Sequence, residues 1–386
     1  MKYYARNVSL IIALALAGCS ADSSDVPASS DYHATLVAEI GGGEGPGALT
    51  DVFGVAVSSE QHVFLSEPPL ARVVEFDQQG QFIRVVGGRG RGPGEFQVPG
   101  GLFWRGDSLA VADFTSGISL FAPDGSFQKR ISFVVNVPGT PFGGRPVLPL
   151  ADGSIGVVVP PETTESDPGD ELWLKASRTG AVLDTLAVLS TQGRTFSFRV
   201  KGRRQMGTHP LAWAPIIAVP PSGESFVVVE RGPATTSAEG SFRVLRVNLH
   251  GDTIASKQIA YVPVPVSGAM VDSIVGGMAG RMAERFGMSP SALAGEIKDQ
   301  LGWPPYVPPV STVLAGDDGS VWIERRRSEN GSVQWEILDE RFAEVGAVAL
   351  PSNLEPKIVS REALWAVRKD SLDVPHLLRF RIQKGT

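Results

Sequence analysis

Two consecutive stretches of this chain repeat one pattern, and that repetition restricts the folds open to it more than any other feature. The first has apolar runs at residues 52–57, 62–67, 72–76 and 80–87, and the second at 99–104, 108–113, 117–121 and 125–131. The gaps between runs hold turn residues such as Asp124-Gly125. Each stretch therefore reads as four short strands joined by hairpin turns. Corresponding positions lie about 45 residues apart, the length of a propeller blade. One such sheet cannot hide both of its faces. Radial stacking of several sheets does so and shortens the exposed edges.

Later copies follow the same plan. A third runs over 145–189, with strands at 153–159, 172–175 and 180–183. A fourth uses 216–219, 225–230, 242–247 and 253–261, and a fifth 310–315, 319–324, 334–338 and 344–350. The sixth has 357–359, 363–367 and 377–382 but no outer strand. Residues 34–40 have strand composition, and pairing them beside 377–382 would close the ring. The expected fold is all-β: a six-bladed β-propeller over residues 33–386, closed by an N-terminal strand and carrying a small helical insertion. Five or seven blades also fit the fainter later boundaries.

The phrase Gly88-Arg89-Gly90-Arg91-Gly92-Pro93-Gly94-Glu95-Phe96, followed by Pro99 and then Val111-Ala112-Asp113, resembles the NHL-repeat family. A weaker copy precedes it as Gly45-Pro46-Gly47-Ala48-Leu49. The Asn-x-Arg that usually follows the family's aspartate is missing after Asp113, and the resemblance covers residues 41–136 alone. It implies a propeller.

Two segments depart from the strand pattern. Between the fourth and fifth copies, residues 269–302 carry Met270, Ile274, Met278, Met282 and Phe286 at a four-residue spacing. That is the apolar stripe of a helix, which Gly287 can end. Ser289-Pro290 is the N-cap and first position of a second helix, stopped by Gly302 and Pro304. The three methionines would form an adaptable partner surface or pack against the propeller side. The second departure, residues 191–210, reads as a surface loop. It gathers Arg194, Arg199, Lys201, Arg203 and Arg204, although the whole chain has a formal charge of −6. Such a cluster suits an anionic ligand, a lipid headgroup or a glycan.

No His-Glu-x-x-His, Gly-x-Ser-x-Gly or Walker motif is present, and the five histidines have no ligand-like spacing. Glu67, Asp113, Glu230 and Glu324 each end the second strand of their repeat, while the sixth repeat places Arg368 there. Equivalent positions of a radial array share one face, so these residues outline an axial pocket. Its oxygen ligands would suit calcium. Ordinary turn chemistry is the competing explanation. Trp104, Trp173, Trp213, Trp322 and Trp365 recur at strand positions that suit core packing more than sugar stacking.

The N-terminus addresses location. Lys2 and Arg6 precede an uncharged apolar run at residues 8–17, too short for a comfortable membrane span. Leu16-Ala17-Gly18-Cys19 resembles the lipobox of bacterial lipoproteins, with the chain's single cysteine last. The resemblance implies removal of a signal peptide, residues 1–18, and acylation of Cys19. Residues 19–32 then form a flexible tether. Ser20 at the following position implies the outer membrane rather than the inner. Removing Lys2 and Arg6 leaves the mature chain still more acidic, which argues against nucleic acid as a partner. The expected function is a membrane-anchored propeller binding a protein, peptide or glycan. The alternative is a metal-assisted hydrolase or lyase with an axial active site.

Overall fold

The computed structural model describes residues 31–385, except 139–142, 162–168, 233, 235 and 328–331. The leader, Cys19 and most of the tether lie outside the described residues. The fold is all-β and propeller-like, built from four-stranded antiparallel meanders. Sheet I comprises Val55–Val57, Val63–Glu67, Arg72–Phe76 and Phe82–Val86. Sheet II comprises Pro99–Arg105, Ser108–Asp113, Gly117–Phe121 and Phe127–Ile131. Sheet III comprises Arg145–Pro149, Ile155–Val159, Asp170–Ala176 and Val182–Ser190. Sheet IV comprises Ile216–Ala218, Phe226–Glu230, Gly240–Val247 and Thr253–Tyr261.

Eight further strands form one sheet with two meander halves. The first half, V, holds Val313–Ala315, Val321–Arg327, Ser332–Leu338 and Glu344–Pro351. The second, VI, holds Leu354–Val359, Ala363–Lys369 and Pro375–Lys384, with the N-terminal strand β1 (Tyr32–Gly41) as its outer member. β1 runs antiparallel to the last strand from Tyr32↔Lys384 to Gly41↔His376. The two halves are joined through a parallel bridge, Tyr32↔Val348.

Local chemistry explains the meanders. Asp77 accepts hydrogen bonds from the amides of Gln79 and Gln81. Asn248 does the same for His250 and Asp252, and Asp339 for Arg341 and Ala343. All three open the turn between third and fourth strands, where an Asx side chain replaces the missing ladder partner.

Apolar side chains then join each sheet to the next. Phe64 and Val73 of sheet I meet Leu109 and Val111 of sheet II. Ala110 and Ile118 meet Ile155 and Val157 of sheet III, whose Leu148 and Leu186 meet Phe226 and Val228 of sheet IV. Val227 and Phe242 meet Val321 and Ile323 of half V, whose Trp322 and Trp335 meet Leu364 and Ala366 of half VI. Trp365 and Leu377 return the sequence to Val63 and Val74 of sheet I. Every sheet thus has both faces covered, and Trp322 and Trp365 are core residues as expected.

Two segments differ from their expected form. Residues 191–210 contain a β-hairpin, Thr195–Val200 paired with Arg203–Thr208, where a loop was expected. Its turn places Lys201 at φ 49° and Gly202 at φ 74°, the primed geometry that matches strand twist. The insertion forms helices α1 (Gly268–Phe286) and α2 (Pro290–Ile297), capped by Ser267 and Ser289 and separated by the left-handed Gly287. The buried face of α1 is Val271, Val275, Met278, Ala279 and Ala283, so the four-residue stripe lies at its margin. That face packs on α2 and on Phe196, Phe198 and Val200 of the hairpin, instead of on a propeller sheet.

Candidate binding face and groove

Antiparallel order puts the start of each first strand beside the end of its second strand. The connector from the preceding sheet arrives at the same place. One face therefore gathers the second-strand ends, the hairpin between sheets III and IV, and the helices between sheet IV and half V. Loops on such a face are where binding residues collect.

The acidic strand ends on this face have local partners. Glu67 is fully buried, and its carboxylate accepts from Thr50 N at 2.6 Å, Thr50 Oγ1 at 3.1 Å and Arg72 Nε at 2.7 Å. Asp113 accepts from the amides of Gln97 and Val98 at 2.7 and 2.9 Å and from Thr115. Burial pushes the Asp113 pKa up, but the bonds from Thr115, Val98 and Gln97 outweigh it and hold the carboxyl below its ordinary value. Glu230 pairs with Arg243 at 2.6 Å. Glu324 does not end its strand as expected, because the strand runs on to Arg327; its backbone exchanges hydrogen bonds with Ser311 and Thr312. Arg368 lies 3.4 Å from Glu39, which also pairs with His376 at 2.7 Å. Among the described residues, no three His, Cys, Asp or Glu side chains gather as metal ligands. The expected ring is a repeated device in its first two members: a strand-end carboxylate fastens the incoming connector.

The five clustered cations also separate. Arg194 pairs with Glu171 at 2.6 Å. Lys201 Nζ donates to the carbonyls of Phe286 and Gly287, where the α1 dipole favours a cation. Arg199, Arg203 and Arg204 are exposed. Cross-strand pairing puts Arg199 and Arg204 together on the face opposite Phe198.

Between the hairpin and α1 lies a groove of about 530 Å³. Phe196 and Phe198, two residues apart on one strand face, stack at 5.2 Å with 20° between planes. With Ile274, Met278 and Met282 they make an apolar lining, and Arg281 is the charged residue at the groove. Gly207 and Gly277 stand on opposite walls, with the Phe196 ring over Gly207 and the Arg281 side chain beside Gly277. Beside the groove, the buried His209 meets Phe196 and Trp303 edge-on at 5.8 and 5.4 Å. Its Nδ1 accepts from Leu211 N, and burial pushes the imidazole pKa down. The sequence did contain the signal for this wall: Thr195-Phe196-Ser197-Phe198-Arg199-Val200 alternates with the period of a half-buried strand.

No protein-family model matches the sequence, and no curated protein matches it. Among solved structures, similar folds include a Bacteroides fragilis protein provisionally described as exported, at 12% identity and TM-score 0.48 over 94% of this chain and 98% of that one. A Xanthomonas campestris gluconolactonase gives 12% identity and TM-score 0.44, with 86% of each chain covered. Virginiamycin B lyase from Staphylococcus aureus gives 11% and 0.42, with 91% of this chain and 99% of that one covered. At such identities and TM-scores, the chemistry of those proteins does not transfer to this chain.

Proposed function

We propose that this chain is a lipid-anchored, six-bladed propeller of the cell envelope, NHL-like in its first repeats, that binds a protein or peptide on its connector face. The observation that carries the reading is the groove between the inserted hairpin and α1, apolar in its floor and open at Gly277. Both walls are insertions into otherwise short connectors, and the propeller does not need either to cover its sheets. Large residues flanking a concave apolar surface are the usual sign of a binding site. A metal-assisted hydrolase or lyase at the axial mouth draws on the acidic strand ends alone, and Glu67 and Asp113 already hold connectors there.

The anchor fits this arrangement. An acylated Cys19 would precede β1 by a tether whose residues 20–31 reach at most about 40 Å when extended. Tyr32 pairs with Lys384, while the second-strand end Arg368 pairs with His376 at the other end of the same strand. The tether would therefore leave from the end of the sheet opposite the binding face and hold that face away from an outer-membrane leaflet.

A photo-crosslinking residue placed at Gly277 in living cells tests the reading. Discrete adducts at 277, absent when the same residue replaces the exposed Val188 of sheet III, are expected. Identical adducts at both positions, or none at 277, would remove the groove from any interface.

A further inference from the structure

We infer that the groove takes an extended peptide segment of a partner, which adds as a third strand to the hairpin and carries apolar side chains in alternation with at least one carboxylate. The inference rests on the groove's being a protein-binding site and names how that site reads its ligand.

The first argument is the state of the two hairpin edges. Thr195–Val200 turns its outer edge to α2, where Gln300 Oε1 accepts from Arg199 N at 2.9 Å and Glu296 Oε1 accepts from Lys201 N at 2.8 Å. Gln300 Nε2 returns a bond to the Arg199 carbonyl. Side chains of the helical unit thus close that edge in place of a strand. The opposite strand, Arg203–Thr208, is the outer member of a two-stranded sheet, and no further strand joins it among the described residues. Its Gly207 and Thr208 border the groove. An edge strand beside a concave apolar surface is a template for strand addition.

The second argument is shape. An extended chain presents alternate side chains to one face. Laid along Arg203–Thr208, it would direct every second side chain toward Phe196, Phe198, Met278 and Met282. Gly277 lets a backbone approach the α1 wall, as a bulky head group would not require.

The third argument is charge. Arg281 is exposed and is the charged residue of the groove lining, and residues 191–210 contain no Asp or Glu. A carboxylate on the incoming strand would meet positive potential in a chain whose overall charge is −6.

The test is a phage-displayed library of random dodecapeptides panned on the full-length protein, with Ile274→Glu and Arg281→Glu as counter-targets. Enriched peptides should alternate apolar and polar residues and contain Asp or Glu. Their synthetic forms should bind the wild-type protein and lose about tenfold or more in affinity on Arg281→Glu. Methylating alternate backbone nitrogens of the peptide should abolish binding on one register and spare it on the other. Enrichment equal on Ile274→Glu, helical i, i+3 patterns, or insensitivity to N-methylation in both registers would overturn the strand mode. So would saturable binding of vesicles containing anionic lipid where no peptide binds. Adducts at position 277 in cells, together with N-methyl insensitivity, would sink this inference and leave the binding reading standing. Failure of both experiments would end both.

Discussion

The Arg231 guanidinium donates to the Val310 carbonyl at 2.8 Å, a bond that spans 79 residues of sequence. Its Nε and Nη2 also donate to the Ala214 carbonyl. Ala214 belongs to the connector that carries the hairpin, and Val310 to the one that carries the helices. Arg231 is buried, and desolvation pushes its pKa down to about 10. A buried cation with carbonyl partners is costly by itself, so its contribution lies in fastening the two insertions at their roots. Arg231→Met should therefore leave two buried carbonyls without donors, at about 1–3 kcal/mol each. Denaturant unfolding of the purified protein should show the loss. Arg231→Lys should recover only part of it, because one ammonium cannot span both carbonyls with the fixed fork of a guanidinium.

Glu67 gives the second prediction. Its side chain is fully buried and its ion-pair partner, Arg72, also donates to the carbonyls of Pro46 and Ala48. Glu67→Gln removes the charge and leaves the half-buried Arg72 guanidinium without its counter-charge, a change of about 3 kcal/mol in the destabilising direction. If Glu67 served mainly as a calcium ligand, the same variant would keep its stability in calcium-free buffer. Unfolding midpoints measured with and without calcium decide between the two.

The two acidic positions also show what was legible beforehand. Strand order could be read from sequence because Val63-Phe64-Leu65 and Leu109-Ala110-Val111 are continuous apolar runs between turn residues. That Glu67 and Asp113 occupy equivalent positions was equally readable from their shared place in the repeat. Their role was not, because the amides they accept from lie at Thr50 and Val98, 17 and 15 residues upstream. Connector backbones carry no sequence mark of the carboxylate that holds them. The stripe on α1 was displaced for a related reason. Spacing identifies a helix but not its partner, and the partner here is a hairpin whose alternation was hidden beneath its arginines.

His209 should make the insertion sensitive to acid. Burial lowers its pKa in the folded protein relative to the ordinary 6.5, so the unfolded form binds the proton more readily. Stability from the neutral imidazole is therefore present above pH 6.5 and is lost as the pH falls through that value toward the lower folded pKa. Because His209 packs on Phe196 and Trp303, the loss should be local. Hydrogen exchange of Thr195–Thr208 and α1 should accelerate between pH 7.5 and 5.5 more than that of sheet I. His209→Phe should flatten this difference, and an unchanged pH response in that variant would place the sensitive group elsewhere.

Cys19 yields the last prediction, and the position of β1 gives it a geometric content. Cys19→Ser should abolish incorporation of labelled palmitate and release the protein from the membrane fraction. Persistence of label would mean that the lipid is carried elsewhere than on Cys19. In the anchored protein, spin labels at His33 and at Lys384 should be relaxed by probes held at the bilayer surface more strongly than a label at Ser273 on α1. His33 and Lys384 lie where β1 begins, and the chain's outer strands run from there toward the connector face. Equal relaxation at the three positions would mean that the propeller lies on its side against the membrane. The groove would then face lipid as readily as a protein partner.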